Sequence, residues 1–385
     1  MNSPSTQERF APAMAWAEID LKAVEHNFSV IKKAAGQQVK VLCVIKADAY
    51  GHGNIPIAKL LERRGVDMLG ISDLHEGIAL RKAGIKVPIL MVENTLVEHA
   101  KYLAENKITP IICTDELAQA LNALGAKQHR KIPVHIKVDT GMGRLGVAAQ
   151  DALFFTRSIS DLPWLKIEGI CTHFPLSDKD RPFTLRQQKE FLSIVRDIQK
   201  NTSIHFEHIH AANSMGIAVY PLKGFTMARA GLILYGLYPA SNVRARISLR
   251  PVMSVKSRVT FVKKVAKGQG ISYGHRFIAS QGMRIATIAI GYNDGYLRTF
   301  SNKTDVLIHG QRCPVLGTVT MDQIMADISH VARVKIGDEV CVLGRQGKNE
   351  ICADELARIA GTISYEITCL LGSRAAKLLK SCKRR

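Results

Sequence analysis

The feature that most constrains this chain is a repeat of short apolar runs, each followed by a stretch with helical periodicity. Runs rich in β-branched residues end near Ile45, Ile71, Met91, Ile112, Val138, Thr172, His210 and Ala228. Amphipathic stretches between them predict helices over residues 55–64, 74–83, 115–124 and 183–200. A continuous apolar run is what a strand buried on both faces requires, and parallel strands need a crossover element to connect them. Eight such units over roughly 200 residues predict a (β/α)8 TIM barrel. An open doubly wound sheet is the competing layout, but no G-x-G-x-x-G follows the first run.

From about Arg246 the pattern changes. Alternating stretches near residues 257–265, 284–290, 305–308 and 339–343 are separated by turns containing Gly268, Gly270, Gly282, Gly310, Gly317 and Gly337. Period-two alternation with glycine turns predicts a mostly antiparallel β domain. The expected division is therefore a barrel over 1–245 and a β-rich domain over 246–385, and residues 1–15 could pack with the latter. At 385 residues, 46% apolar and 22% charged, the chain has the composition of a globular protein with room for both.

The net charge of +20 raises nucleic-acid binding as a function class. The basic residues are dispersed, however, the densest group being the tail from Lys377 to Arg385, and no nucleic-acid motif accompanies them. The eight cysteines form no C-x-x-C pair and fall largely inside apolar runs, which argues for reduced thiols and against a zinc site. No signal-peptide pattern opens the sequence and no apolar run approaches the ~18 residues of a membrane span, so a cytoplasmic location is expected.

The chemistry-bearing residues cluster where barrel enzymes assemble their sites, at the C-terminal ends of the strands. The first run, Val41 to Ile45, stops at Lys46, followed by Tyr50, Gly51, His52 and Gly53. The fifth leads through Lys137 to Arg144 in KVDTGMGRLG, and the sixth ends in Thr172-His173-Phe174. The seventh leads to Asn213-Ser214, and the eighth to Arg229, Gly231, Leu232 and Tyr235. Taken singly, each residue has a duller reading: a solvated lysine, a core histidine, glycines that supply turns.

Together and in this order they resemble the alanine racemases. The second domain joins the resemblance through Ser272-Tyr273-Gly274, the stretch from Gly291 to Tyr296 that contains Tyr292, Thr320-Met321-Asp322-Gln323, and Ser364-Tyr365-Glu366. It runs from Trp16 to Tyr365, with small departures at Pro175 and Asn293.

The resemblance implies a pyridoxal 5'-phosphate enzyme that interconverts L- and D-alanine for peptidoglycan, as a homodimer with shared sites. A broad-specificity amino-acid racemase of the same fold is the alternative. Lys46 would be the Schiff-base lysine and the base on one face of the substrate, with Tyr273 from the second subunit on the other. Cofactor contacts would come from Tyr50, His173, Asn213, Ser214, Arg229, Gly231, Leu232 and Tyr365. Arg144, Met321, Asp322 and Tyr292 would hold the substrate, Lys137 is a carbamylation candidate, and no metal is expected. His173 and Arg144 are expected as cations that favour the Tyr273 phenolate. Arg229 would face the pyridine nitrogen; a guanidinium only donates, so it would keep that nitrogen unprotonated and the electron sink weak.

Three rivals fit less well. A single-barrel pyridoxal carrier lacks the second domain, a fold-related decarboxylase would want a carboxylate where Arg229 stands, and a nucleic-acid binder would not need these strand-end residues.

Overall fold

The computed structural model describes residues 13–380. The chain forms two units, one of Ala23–Ala49 with Asn54–Arg250, the other of the chain through Lys22, Tyr50–Gly53 and Pro251 onward.

In the first unit eight parallel strands close into a barrel: Lys40–Val44, Met68–Ile71, Ile89–Met91, Ile108–Ile112, Ile132–Asp139, Leu165–Cys171, His208–His210 and Met227–Ala230. Closure is made by Met227–Ala230 pairing with Lys40–Val44. The apolar runs become these strands because no edge is left open to water, and Val41, Leu42, Cys43, Leu69, Ile71, Ile89 and Leu90 are fully buried. The helices fall where periodicity set them, at Asn54–Arg63, Leu74–Lys82, Asp115–Lys127 and Arg181–Asn201. The longest starts with Asp180 accepting from the Phe183 N–H and with Pro182 in its first turn. Apolar faces of these helices join the strands in a core that includes Leu117, Leu121, Ile136, Ile170, Phe191 and Val195.

The turn after the first strand departs from expectation. Sequence reads Gly51 and Gly53 as a loop, and both adopt positive φ, but Ala47, Asp48, Ala49 and Tyr50 also sit at φ of 51–56°. Left-handed geometry costs a residue with a Cβ about 1–2 kcal/mol. Local bonds offset the cost: the Ala49 N–H donates to Ile45 O at 2.9 Å, the Asp48 N–H to Glu76 Oε1 at 2.9 Å, and Asp48 Oδ1 accepts from the Asn54 N–H at 2.8 Å. A chain held in such a turn cannot slide, and it begins at Lys46.

The second unit is a nine-stranded sheet, antiparallel but for one pair. Its long strand, Met253–Val265, pairs with Met283–Ile288, Glu339–Gln346 and Ala15–Asp20. Ala15–Asp20 therefore belongs to this sheet, where it also runs parallel to Ala376–Lys380. Two helices, Ala353–Ala360 and Ser364–Arg374, complete the unit. Seven cysteines are free thiols among the described residues. The last basic residues, 381–385, lie outside them.

Candidate active site

At the C-terminal ends of the barrel strands the centre of the arrangement is Arg229. It is buried, and its two terminal nitrogens make every bond found for it: to His210 Nδ1 at 2.7 Å, His210 O at 3.1 Å, Thr172 O at 2.8 Å, Ala211 O at 3.0 Å and His173 Nδ1 at 3.0 Å. A guanidinium has five N–H donors, so Nε retains one that these bonds do not use. Burial lowers its affinity for a proton, but a guanidinium stays charged in proteins.

That fixed donor orders the protons on its neighbours. Burial, together with the nearby Arg229 charge, drives His210 well below the usual imidazole range, and burial with His208 and Arg229 drives His135 to about 3. Both rings are neutral at working pH. His210 Nδ1 must accept from Arg229, so its proton sits on Nε2 and is donated to His135 Nδ1 at 2.9 Å. His135 is left with its proton on Nε2, a buried atom without a hydrogen-bond partner among the described residues.

Nearby, His135, Glu168 and His208 bring ligand-type atoms within 4.8 Å of one another. The proton order argues against a metal there, since His135 Nε2 presents a hydrogen and not a lone pair.

His173 also accepts from Arg229, through Nδ1. Burial first, then Arg229, Lys137, Arg144 and Lys46, push it down to about 2. The expectation of a cationic His173 is thereby corrected: four neighbouring cations and a dry setting keep the ring neutral.

Lys46 Nζ lies 3.0 Å from Glu93 Oε1, and Arg144 reaches the same oxygen at 3.9 Å. Lys137 is buried, has no ion pair among the described residues, and is pushed down to about 8, chiefly by burial and also by Arg229 and Arg144. Ser214 Oγ accepts from the N–H groups of Gly231 at 3.1 Å and Ile233 at 3.5 Å, and Leu232 opens the short turn Leu232–Tyr235. Asn213 instead serves its own loop, accepting from the Gly216 N–H at 3.0 Å and donating to Ser177 Oγ at 3.1 Å.

The second unit gathers the remaining expected residues. Ser272 adopts φ 63°, ψ −175°, a conformation suited to glycine, and is held by its hydroxyl donating to Thr318 O at 2.6 Å. Thr318 Oγ1 returns a bond to Tyr273 O at 2.8 Å, which pins the Tyr273 backbone while its side chain stays 73% exposed. Tyr292 and Asn293 donate backbone N–H bonds of 3.0 Å to Thr320 O and Met321 O, and Asn293 Nδ2 reaches Asp322 Oδ1 at 3.3 Å. Tyr273, Tyr292, Met321 and Asp322 thus lie on loops bonded to one another. Tyr50 and Tyr365 form a separate pair, ring centroids 5.7 Å apart.

Sequence reasoning missed Glu93, His210 and His135 as site-linked residues. His210 and Glu93 carried a usable signal, each sitting at or just beyond the end of a barrel strand, as Lys46 does. His135 is inside a strand and reads as core.

Comparison with known proteins agrees on one family. Residues 19–239 match the alanine racemase N-terminal domain and residues 252–379 the alanine racemase C-terminal domain. An alanine racemase of Halothermothrix orenii is 40% identical over 367 residues, covering 95% of this chain and 97% of its own. One from Nostoc sp. is 42% identical over 359 residues, 92% and 93% of the two chains. Among solved structures, the alanine racemase of Clostridium difficile superposes with a TM-score of 0.91 at 35% identity, covering 96% of this chain and 97% of that one. The alanine racemase of Bacillus anthracis with bound L-Ala-P gives 0.89 at 33% identity, covering 96% of each. The chain belongs to the alanine racemase family and is an isomerase that interconverts L-alanine and D-alanine.

Proposed function

We propose that the enzyme works with pyridoxal 5'-phosphate held at the strand ends, by a two-base mechanism, as a cytoplasmic homodimer that supplies D-alanine. The observation that carries this reading is the gathering of an amine, an all-donor guanidinium and a buried hydroxyl cradle at one end of the barrel. Among the described residues no helix is long and apolar enough to cross a membrane.

The residues suit such a cofactor. Lys46 supplies an amine for its aldehyde, and the unused Nε donor of Arg229 suits a pyridine nitrogen. Ser214, with the backbone N–H groups of Gly231 and Leu232 and the hydroxyls of Tyr50 and Tyr365, suits its phosphate. When bound, pyridoxal phosphate supplies the electron sink that makes the substrate Cα–H acidic.

The rest falls to the protein. Lys46 takes or returns the Cα proton on one face, and Tyr273 of the partner subunit does so on the other. The exposure of Tyr273 on a pinned backbone favours its use by another chain. Arg229 withholds a proton from the ring nitrogen, which moderates the sink and disfavours transamination. Neutral His173 buttresses Arg229 as an acceptor. Arg144 takes the substrate carboxylate with the Met321 backbone, and Asp322, Tyr292 and the Asn213 loop complete the enclosure. Lys137 is proposed to be carbamylated: an amine shifted down to about 8 is deprotonated near neutrality far more often than an ordinary lysine, and the product anion would face Arg144 and Arg229 where the ammonium would repel them.

The test is an L- against D-alanine assay with borohydride trapping of the holoenzyme and peptide mapping. Racemisation with the label on Lys46 is expected; a label on another lysine refutes the assignment.

A further inference from the structure

Glu93 follows the barrel strand Ile89–Met91, and its carboxylate is the only one among the described residues in ion-pair contact with either Lys46 or Arg144. With Lys137 as the unmodified amine the setting is cationic: Lys46, Lys137, Arg144 and Arg229 all act electrostatically on His173, and Glu93 acts on Arg229. The nearby Asp139 is committed elsewhere, since its carboxylate accepts from the N–H groups of Gly141, Met142 and Gly143 at 2.8–2.9 Å. Glu93 is also sheltered, 23% exposed against 46% for Arg144, so its charge is screened less than that of a free surface residue.

We propose that Glu93 is a positioning and selectivity residue, a resident carboxylate that holds Lys46 and Arg144 in place and competes with incoming carboxylates for Arg144. This rests on the reading of Arg144 as the substrate-carboxylate site. A substrate with one carboxylate displaces Glu93 from a long, 3.9 Å contact with Arg144, whereas the 3.0 Å contact to Lys46 belongs to the free amine, before it joins the cofactor. A substrate with a second, side-chain carboxylate meets the Glu93 charge with twice the repulsion. Glu93 therefore biases the site toward small neutral side chains.

Charge and shape can be separated. Partly exposed ion pairs are worth about 0.2–1 kcal/mol, so the neutral Glu93→Gln should bind propionate about 1.4- to five-fold more tightly than the unaltered holoenzyme, by calorimetric titration. Because the effect scales with ligand charge, succinate should gain roughly the square of that factor. Glu93→Asp keeps the charge and should show neither gain; Glu93→Ala, neutral but lacking the amide, should show both. In alanine racemisation, Glu93→Gln should lower KM while kcat falls, the latter from looser Lys46.

Unchanged or weaker propionate binding in both neutral variants overturns the proposal, and so does an equal gain for the two ligands or a gain shared by Glu93→Asp. If the unaltered protein racemises alanine but propionate does not compete with it, the reading of Arg144 fails instead. Loss of propionate binding in Arg144→Gln, measured alongside, tells these failures apart.

Discussion

Gly372→Ala sets helix propensity against backbone packing. Gly372 lies in the last turn of Ser364–Arg374, where alanine ordinarily stabilises a helix by about 1 kcal/mol over glycine. Here a Cβ would come within 2.7 Å of the Gly51 carbonyl carbon and 2.8 Å of its Cα, and closer still to its oxygen. These atoms belong to backbone that cannot rotate aside, and ordinary contact begins near 3.4 Å. Overpacking costs about 1–3 kcal/mol, and a clash with fixed backbone belongs in the upper part of that range, about 2–3, so the net effect should be a loss of about 1–2 kcal/mol. The displaced segment carries Tyr50, whose ring meets Tyr365 on the same helix, so cofactor affinity should fall as well. Scanning calorimetry and pyridoxal phosphate titration of the variant check both. A melting temperature equal to or above that of the unaltered protein would refute the reasoning. Gly51→Ala should be worse, since φ of +82° adds a left-handed penalty to a clash with Thr368 O.

Four further outcomes are expected. Lys137 is charged more readily unfolded than folded, so in carbon-dioxide-free buffer its penalty is full below about 8 and is relieved as pH rises toward ~10.4; denaturation midpoints should climb across that window, and Lys137→Met should flatten the climb. With carbon dioxide present, mass spectrometry of the native protein should place one carbamate on Lys137. Ser214→Ala leaves the buried N–H groups of Gly231 and Ile233 without their acceptor and should cost about 1–3 kcal/mol in thermal stability, with weaker cofactor binding. Mixing inactive Lys46→Ala with inactive Tyr273→Phe should restore partial racemisation through hybrid dimers; silence after demonstrated subunit exchange would refute the shared site.

The barrel was legible because burial on both faces writes itself as continuous apolar runs: strand ends expected at Ile71, Met91, Ile112 and His210 are the observed ones. The left-handed turn was not legible, because Ala47, Asp48 and Ala49 are ordinary residues whose strain is borne by distant partners such as Glu76. The charge state of His173 was hidden for the same reason, depending on burial and on four cations from three other strand ends. Glu93 escaped because a lone carboxylate after a strand carries no signature until Lys46 and Arg144 are placed beside it.

The proton order running from Arg229 through His210 to His135 is a polarity imposed from one end. Arg229 is the terminus that can never reverse, and each ring copies its direction to the next. An acceptor at position 229 within reach of His210 Nδ1 would invert every link: His210 would carry its proton on Nδ1, His135 would do the same, and His135 Nε2 would expose a lone pair toward Glu168 and His208. A proton-donating pocket would become a three-point Lewis base fit for a transition metal. One guanidinium at the reacting end of the barrel thus decides, two hydrogen bonds away, whether the interior can hold an ion.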